Sequence, residues 1–205
     1  MSAGTGATCR LVLASGNPGK LREYQILAAG HALELVLLPG FAMLPEFPED
    51  APTFAENAAG KAIYYSRHCG GLVFADDSGL VVPALGGAPG VLSARYAGPG
   101  ASSEARNERL LAAMRELHGA EREAYFVCVI AAARAGRCEM VVSAKVDGEI
   151  LEAPRGSGGF GYDPVFYFPP LQKGFAELSA DEKNVNSHRG KAFRRLMDVL
   201  ERDPI

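Results

Sequence analysis

Apolar residues along the chain alternate between short runs that suit buried strands and three-to-four-residue spacings that suit helices. Residues 10–15 form the first apolar run, and the turn Gly16-Asn17-Pro18-Gly19-Lys20 follows it directly. Pro18 suits the first turn of a helix and Gly30 its end. Leu33 to Leu38 predicts a second strand. Residues 39–52 hold four prolines and three acids, which predicts a loop. Thr53 and Glu56 have capping-box spacing at the head of a helix that carries Phe54, Ala58 and Tyr65 and stops at Gly70-Gly71. Leu72-Val73-Phe74-Ala75 predicts a third strand that ends in the turn Asp76-Asp77-Ser78-Gly79, with Leu80-Val81-Val82 extending the sheet beyond it.

Residues 83–101, rich in Gly, Pro and Ala, predict a long loop or a crossing between lobes. Ser102 or Ser103 can cap a helix with Leu110, Leu111, Met114 and Leu117 on its apolar face. Tyr125 to Ala133 and Cys138 to Val146 predict strands joined through Ala135-Gly136. Asp147-Gly148 predicts a hairpin turn into Ile150-Leu151. A glycine-rich stretch follows at 156–161, then a short strand Val165 to Phe168 and a capping box at Ser179/Glu182. A last helix carries Phe193, Leu196, Met197 and Leu200. Strands interleaved with helices make an α/β chain with a mixed sheet.

Composition narrows the class. The 205 residues suit one ordinary domain or two closely packed lobes, spanning 10–205 after a frayed tail at 1–9. No apolar run approaches the roughly 18 residues of a membrane span, and no secretory leader is expected. A net charge of −3 without a basic run weighs against nucleic acid or a membrane surface as partner. It leaves room for a small phosphorylated ligand. The cysteines at 9, 69, 128 and 138 lack metal-site spacing, so free thiols are expected, with a Cys128–Cys138 bridge across a hairpin as the alternative.

Four segments carry candidate chemistry. Ser15-Gly16-Asn17-Pro18-Gly19-Lys20 sits between strand and helix, where glycines permit close approach and a helix N-terminus favours an anion. It is not a P-loop, because the spacing is short and Leu21 replaces the Ser/Thr after the lysine. Asp76-Asp77 would send its carboxylates to opposite faces of a strand, one into a cleft. With Glu49 or Glu46 they could hold Mg²⁺, which typically uses one or two carboxylates plus substrate phosphates. Gly156 to Gly161 matches G-x-G-x-x-G but opens no helix, so a dinucleotide fold is rejected. It leaves a loop presenting Phe160, Tyr162 and Asp163, where an aromatic ring can stack on a base or pack in the core. Lys183, Ser187, His188 and Arg189 gather donors for a phosphate or a carbonyl-bearing base, while Lys191, Arg194 and Arg195 suit a solvated face.

These segments together resemble the inosine/xanthosine triphosphate pyrophosphatase family. The likeness rests on Ser15 to Lys20, Phe54-Ala55-Glu56-Asn57-Ala58 with Lys61-Ala62, and Ala75-Asp76-Asp77-Ser78-Gly79-Leu80. It continues through Leu85 to Gly90 with Ser93-Ala94-Arg95-Tyr96, then Gly158 to Pro164, and Ser187-His188-Arg189-Gly190. The resemblance implies an elongated mixed sheet flanked by helices, with two lobes and a substrate cleft between them. It implies a cytoplasmic homodimer, Mg²⁺, and hydrolysis of ITP, dITP or XTP to the monophosphate and pyrophosphate. Under it Ser15, Gly16, Asn17, Pro18, Gly19 and Lys20 grip the triphosphate, and Glu49 and Asp77 serve the metal. Asp77 is the general base, with Asp76 the other candidate and Lys20 assisting. Ser78, Phe160, Gly161, Tyr162, Asp163, Lys183, His188 and Arg189 bind substrate. A relative with another base preference, or a non-catalytic nucleotide-binding module, are the competing readings.

Overall fold

The computed structural model describes residues 9–202, with only the backbone of Cys9. The expected tail lies outside the described residues except for Cys9, which opens the first strand. Strand β1 (Cys9–Leu13) leads into α1 (Pro18–Ala28), β2 (Leu33–Leu37) and α2 (Phe54–Ser66). Strand β3 (Leu72–Val81), helix α3 (Ser103–Ala113) and the long strands β4 (Glu123–Arg134) and β5 (Arg137–Ile150) follow. Short strands β6 (Phe166–Phe168) and β7 (Lys173–Gly174) precede α4 (Ala180–Asn186) and α5 (His188–Arg202). One seven-stranded sheet has the order β2-β1-β3-β4-β5-β6-β7. Strand β1 pairs in parallel with β2 and β3, and every later pairing is antiparallel.

Period-two alternation in β1 sorts its side chains onto two covered faces. Leu11 and Leu13 join Tyr24 of α1 and Phe193 and Leu196 of α5. Val12 and Ala14 join Ala58, Ala62 and Tyr65 of α2. Helices on both faces explain why β1 and the start of β3 read as unbroken apolar runs. A third cluster packs Leu110 and Met114 of α3 against Phe126, Phe166 and Phe175. Capping chemistry sets the helix starts. Ser102, not Ser103, caps α3, accepting from Ala105 N, and Ser179 and Glu182 close a full box on α4. At α2, Thr53 accepts from Glu56 N, but Glu56 answers the Thr53 hydroxyl rather than its backbone.

Four readings are corrected. Asp76-Asp77-Ser78-Gly79 is no turn: β3 runs through it, with Asp76 opposite Ile130 and Asp77 opposite Val129 on β4. Asp147-Gly148 is no hairpin turn either. It lies inside β5 opposite Tyr125 and Ala124, because Gly148 leaves room for Phe166 of β6 to cross its Cα. The alternative disulfide is absent: Cys128 pairs with Ala144 and Cys138 with Ala133, and Cys69, Cys128 and Cys138 are free thiols. Arg194 leaves the expected solvated face, donating to the carbonyls of Asn184 and Val185 at the end of α4.

Candidate functional site

The parallel pairing of β1 with β3 stops at Leu13 and Phe74, and beyond it β3 runs on paired with β4. A crevice at the carboxyl end of a parallel pair is where open α/β sheets place ligands. Here it is a cavity of about 990 Å³. The Ser15–Lys20 turn, the acidic loop, Asp77 and Ser78, the 160–163 loop and the start of α5 all line it.

The aspartate pair is split by the strand. Asp77 enters the cavity, while Asp76 is 1% exposed beneath α1 and α5. Asp76 sits 3.0 Å from Lys20 Nζ and 3.6 Å from Arg189 Nε. Burial works against its charge, but Lys20, Arg189 and Lys61 outweigh burial and hold its carboxyl below the usual range. Asp77 accepts from Asn57 Nδ2 at 3.0 Å and from Ser78 N at 2.9 Å. Its burial prevails over Lys20 and Asn57, and its carboxyl is pushed up. Two adjacent carboxylates thus have opposite electrostatic characters: one is an ionic anchor, the other a more basic group facing the cavity.

Asn17 caps α1 with its side chain, accepting from Gly19 N at 2.9 Å and Lys20 N at 3.2 Å. Two first-turn N–H groups expected to face an anion are therefore occupied. Ser15 Oγ accepts from Asn17 N at 3.3 Å. Gly16 and the Lys20 ammonium remain on the cavity wall, and the space above Gly19 is filled by the Phe160 ring.

From Lys20 a line of alternating charges crosses to the glycine-rich loop. Asp76 links Lys20 to Arg189, and Glu23 of α1 pairs with both Arg189 and Lys183. Lys183 Nζ then reaches Asp163 Oδ2 at 2.5 Å. Burial opposes the Lys183 charge, yet Asp163 and Glu23 hold the ammonium protonated. Asp163 also accepts from Phe160 N at 2.7 Å. Arg189 is committed as well, to Glu23 and to Ser78 Oγ at 2.8 Å. His188 stacks on Phe126 at 4.7 Å between ring centres, with Nδ1 buried and lacking a hydrogen-bond partner among the described residues. Burial, then the charges of Arg189 and Lys183, push its pKa well below 6.5, so the imidazole is neutral.

Candidate metal donors are Asp77 and, on the acidic loop, Glu46 and Glu49. Glu49 is paired with Lys61, whose pKa falls to about 8 through burial and the charge of Lys20. Arg95 Nη2 holds the Glu49 carbonyl at 2.6 Å. No group of three or more His, Cys, Asp or Glu able to hold a metal occurs among the described residues. Cations Lys20, Lys61, Arg95, Arg106, Lys183 and Arg189 line the cavity against Glu46, Glu49, Asp50, Asp77 and Asp163. Such a donor set fits a cation that arrives with phosphate oxygens as its remaining ligands, as Mg²⁺ does.

Glu23, Asn57, Lys61, Arg95, Arg106 and Asn107 were not assigned roles from the sequence. Asn57, Lys61 and Arg95 lay within segments that carried the resemblance. Glu23 had only its spacing from Lys20, one turn along α1. For Arg106 and Asn107 the sequence offered a polar pair at the edge of an apolar helical stripe.

A mixed sheet with a cationic turn, a split aspartate pair and an aromatic loop around one cavity defines a protein built for a polyanionic ligand bearing a flat ring. The chain belongs to the Ham1 family, whose model matches residues 11–199. It is 51% identical over 194 residues to the dITP/XTP pyrophosphatase of Geobacillus kaustophilus, covering 93% of this chain and 94% of that protein. It is 48% identical to the dITP/XTP pyrophosphatase of Thermus thermophilus, covering 95% and 93%. The solved Ham1 protein of Coxiella burnetii superposes with a TM-score of 0.85 at 40% identity, covering 95% of this chain and all of that one.

Proposed function

We propose that this protein hydrolyses the deaminated purine nucleoside triphosphates ITP, dITP and XTP to the monophosphate and pyrophosphate, using Mg²⁺. The observation that carries the reading is one cavity lined both by Lys20, Lys61 and Asp77 and by Phe160, Tyr162 and His188. The named activity of relatives about half identical over nearly the whole chain supports it.

Attack of water on the α-phosphorus forms one P–O bond and breaks the bond to the oxygen bridging the α- and β-phosphates. Asp77 takes the water's proton, and its upward-shifted carboxyl makes it the better base of the pair. Lys20, fixed by Asp76, stabilises charge on the departing pyrophosphate. Mg²⁺, held by Asp77 and Glu49, would offset phosphate charge and orient the water when bound. Asn57 orients the Asp77 carboxylate, and its amide also clasps the Ala51 backbone at the end of the acidic loop.

The Phe160 ring stacks on the base and adds affinity for any base. Selectivity comes from donors facing the 6-oxo group, because an amine at that position would meet donor with donor. His188, neutral and on the cavity wall, is one such group. We infer from the family resemblance that the enzyme works as a homodimer in the cytoplasm. Among the described residues no helix is long and apolar enough to cross a membrane.

The test is incubation with Mg²⁺ and a panel of triphosphates, with pyrophosphate and orthophosphate assayed separately. Fast pyrophosphate release is expected from ITP, dITP and XTP, and slow release from ATP and GTP. Equal rates on ATP would overturn the selectivity, and orthophosphate as the product would overturn the mechanism. Sedimentation of the purified protein checks the dimer, and a monomer at micromolar concentration would refute it.

A further inference from the structure

Helix α3 carries a polar residue within its apolar stripe. Asn107 precedes Leu110, Leu111 and Met114 on the same face, which packs into the third core cluster. It is 6% exposed, and an amide taken from water at such a place is costly unless bonded. The bonding is only half complete. Nδ2 donates to Gly161 O at 3.1 Å, while Oδ1 is buried without a partner among the described residues. Leucine would have nearly the same shape and suit the stripe better, so the reason for the amide lies in its one bond.

That bond orients a peptide plane. Gly161 sits in the left-handed region at φ +65° and lines the cavity; Asn107 does not line it. In a trans peptide the carbonyl and the following N–H point in opposite directions. With Gly161 O bonded to Asn107, the Tyr162 N–H points away from Asn107, and Tyr162 itself lines the cavity. It makes no hydrogen bond among the described residues. The other ties of the loop act elsewhere: Phe160 N and Lys183 on Asp163, and Tyr162 OH on Ser93 O at 2.9 Å.

We propose that Asn107 is a positioning residue for base recognition. By holding the Gly161 carbonyl on α3 it aims the Tyr162 N–H into the cavity as a donor to a carbonyl-bearing purine. The inference rests on the nucleotide reading above and adds to it the group that reads the base. Asn107 itself touches no substrate.

The two products separate base from phosphate, so IMP and inorganic pyrophosphate are the probes. In Asn107→Leu the stripe stays filled and the bond is lost. Its Kd for IMP is expected to rise about fivefold, the worth of one hydrogen bond, with the Kd for pyrophosphate changed by less than about twofold. KM for ITP should rise in proportion, with kcat nearly constant. Unchanged IMP affinity, or equal loss for IMP and pyrophosphate, would overturn the proposal. A second measurement needs no variant. In ¹⁵N-labelled wild-type protein the Tyr162 amide proton should move downfield on saturation with IMP and stay in place with pyrophosphate. An amide that ignores IMP would also overturn it. Failure of the wild-type protein to bind IMP at all would instead refute the nucleotide reading on which the proposal stands.

Discussion

The ring of Phe160 rests on the Cα of Gly19: a β-carbon there would lie 2.7 to 2.9 Å from three ring atoms. Gly19 is helical and needs no special φ, so its missing side chain serves the ring and not the turn. The 160–163 loop is thereby seated on the first turn of α1. Gly19→Ala should displace the ring and raise KM for ITP roughly tenfold, with the fold intact. In a Phe160→Leu background the same change should cost much less, since the clashing atoms are gone. Kinetics on the two single variants and the double variant measure this coupling, and strict additivity would separate the residues.

Asp76 and Asp77 should fail in different ways. Asp76→Asn leaves Lys20 and Arg189 facing each other without their shared carboxylate. Breaking a buried ion pair costs about 3–5 kcal/mol, so unfolding should come at markedly lower denaturant. Asp77 is a carboxylate that burial disfavours, and Asp77→Asn should change stability by less than about 1 kcal/mol. Its turnover should fall by about 10² to 10⁴, the usual worth of a general base, while nucleotide still binds. Denaturation and single-turnover kinetics on both variants make the comparison. Loss of turnover confined to Asp76→Asn would reverse the roles.

His188 should make the fold acid-sensitive. Its pKa is ordinary in the unfolded chain and pushed well below 6.5 in the folded one, by burial and then by Arg189 and Lys183. Below pH 6.5 the unfolded state therefore binds a proton that the folded state refuses. The contribution of a neutral His188 is present in full above pH 6.5 and declines as pH falls toward the folded value. The slope reaches at most about 1.4 kcal/mol per pH unit. His188→Phe keeps a ring against Phe126 and removes the titration. Its stability measured from pH 7 to 5 should fall less steeply than wild type, and parallel curves would contradict the assignment.

What was legible in the sequence follows from the range of the forces involved. Strands β1 and β2, the caps at Ser102 and Ser179, and the apolar face of α5 depend on neighbours within one or two turns, and local pattern reveals them. Asp147-Gly148 misled because its glycine answers Phe166, a residue that chain-local turn chemistry does not include. Asp76 to Gly79 misled for a related reason. Two carboxylates suggested a turn, but β4 and the cations of α1 and α5 make them tolerable within a strand. At the site, opposite faces for the two aspartates follow from strand period alone. That Asp76 is the anchored one depends on Lys20 and Arg189, which are 56 and 113 positions away in the chain. Glu23 shows the limit most plainly: an ordinary helical glutamate in sequence, it sits between two cations that α4 and α5 bring to it.

Metal and nucleotide should bind as partners. Glu49 already carries the Lys61 ammonium, and Asp77 is turned onto Asn57 and the Ser78 amide. Free Mg²⁺ therefore meets one carboxylate with a competing cation and another, separate carboxylate, short of a complete shell. A triphosphate supplies the missing oxygens and also draws Lys61 toward its own charge. Calorimetric titration should show weak binding of Mg²⁺ alone. In the presence of a non-hydrolysable ITP analogue the ion should bind at least tenfold tighter, and the analogue should gain the same factor from Mg²⁺, as linkage requires. Lys61→Ala removes the competitor. It should strengthen the binding of Mg²⁺ alone while weakening the analogue, and activity should then need more nucleotide but less metal. Mg²⁺ affinity that ignores both the analogue and Lys61 would place the ion away from Glu49. Addition of EDTA should stop pyrophosphate release without lowering the melting temperature of the free protein, because the fold is closed by its own ion pairs before the metal arrives.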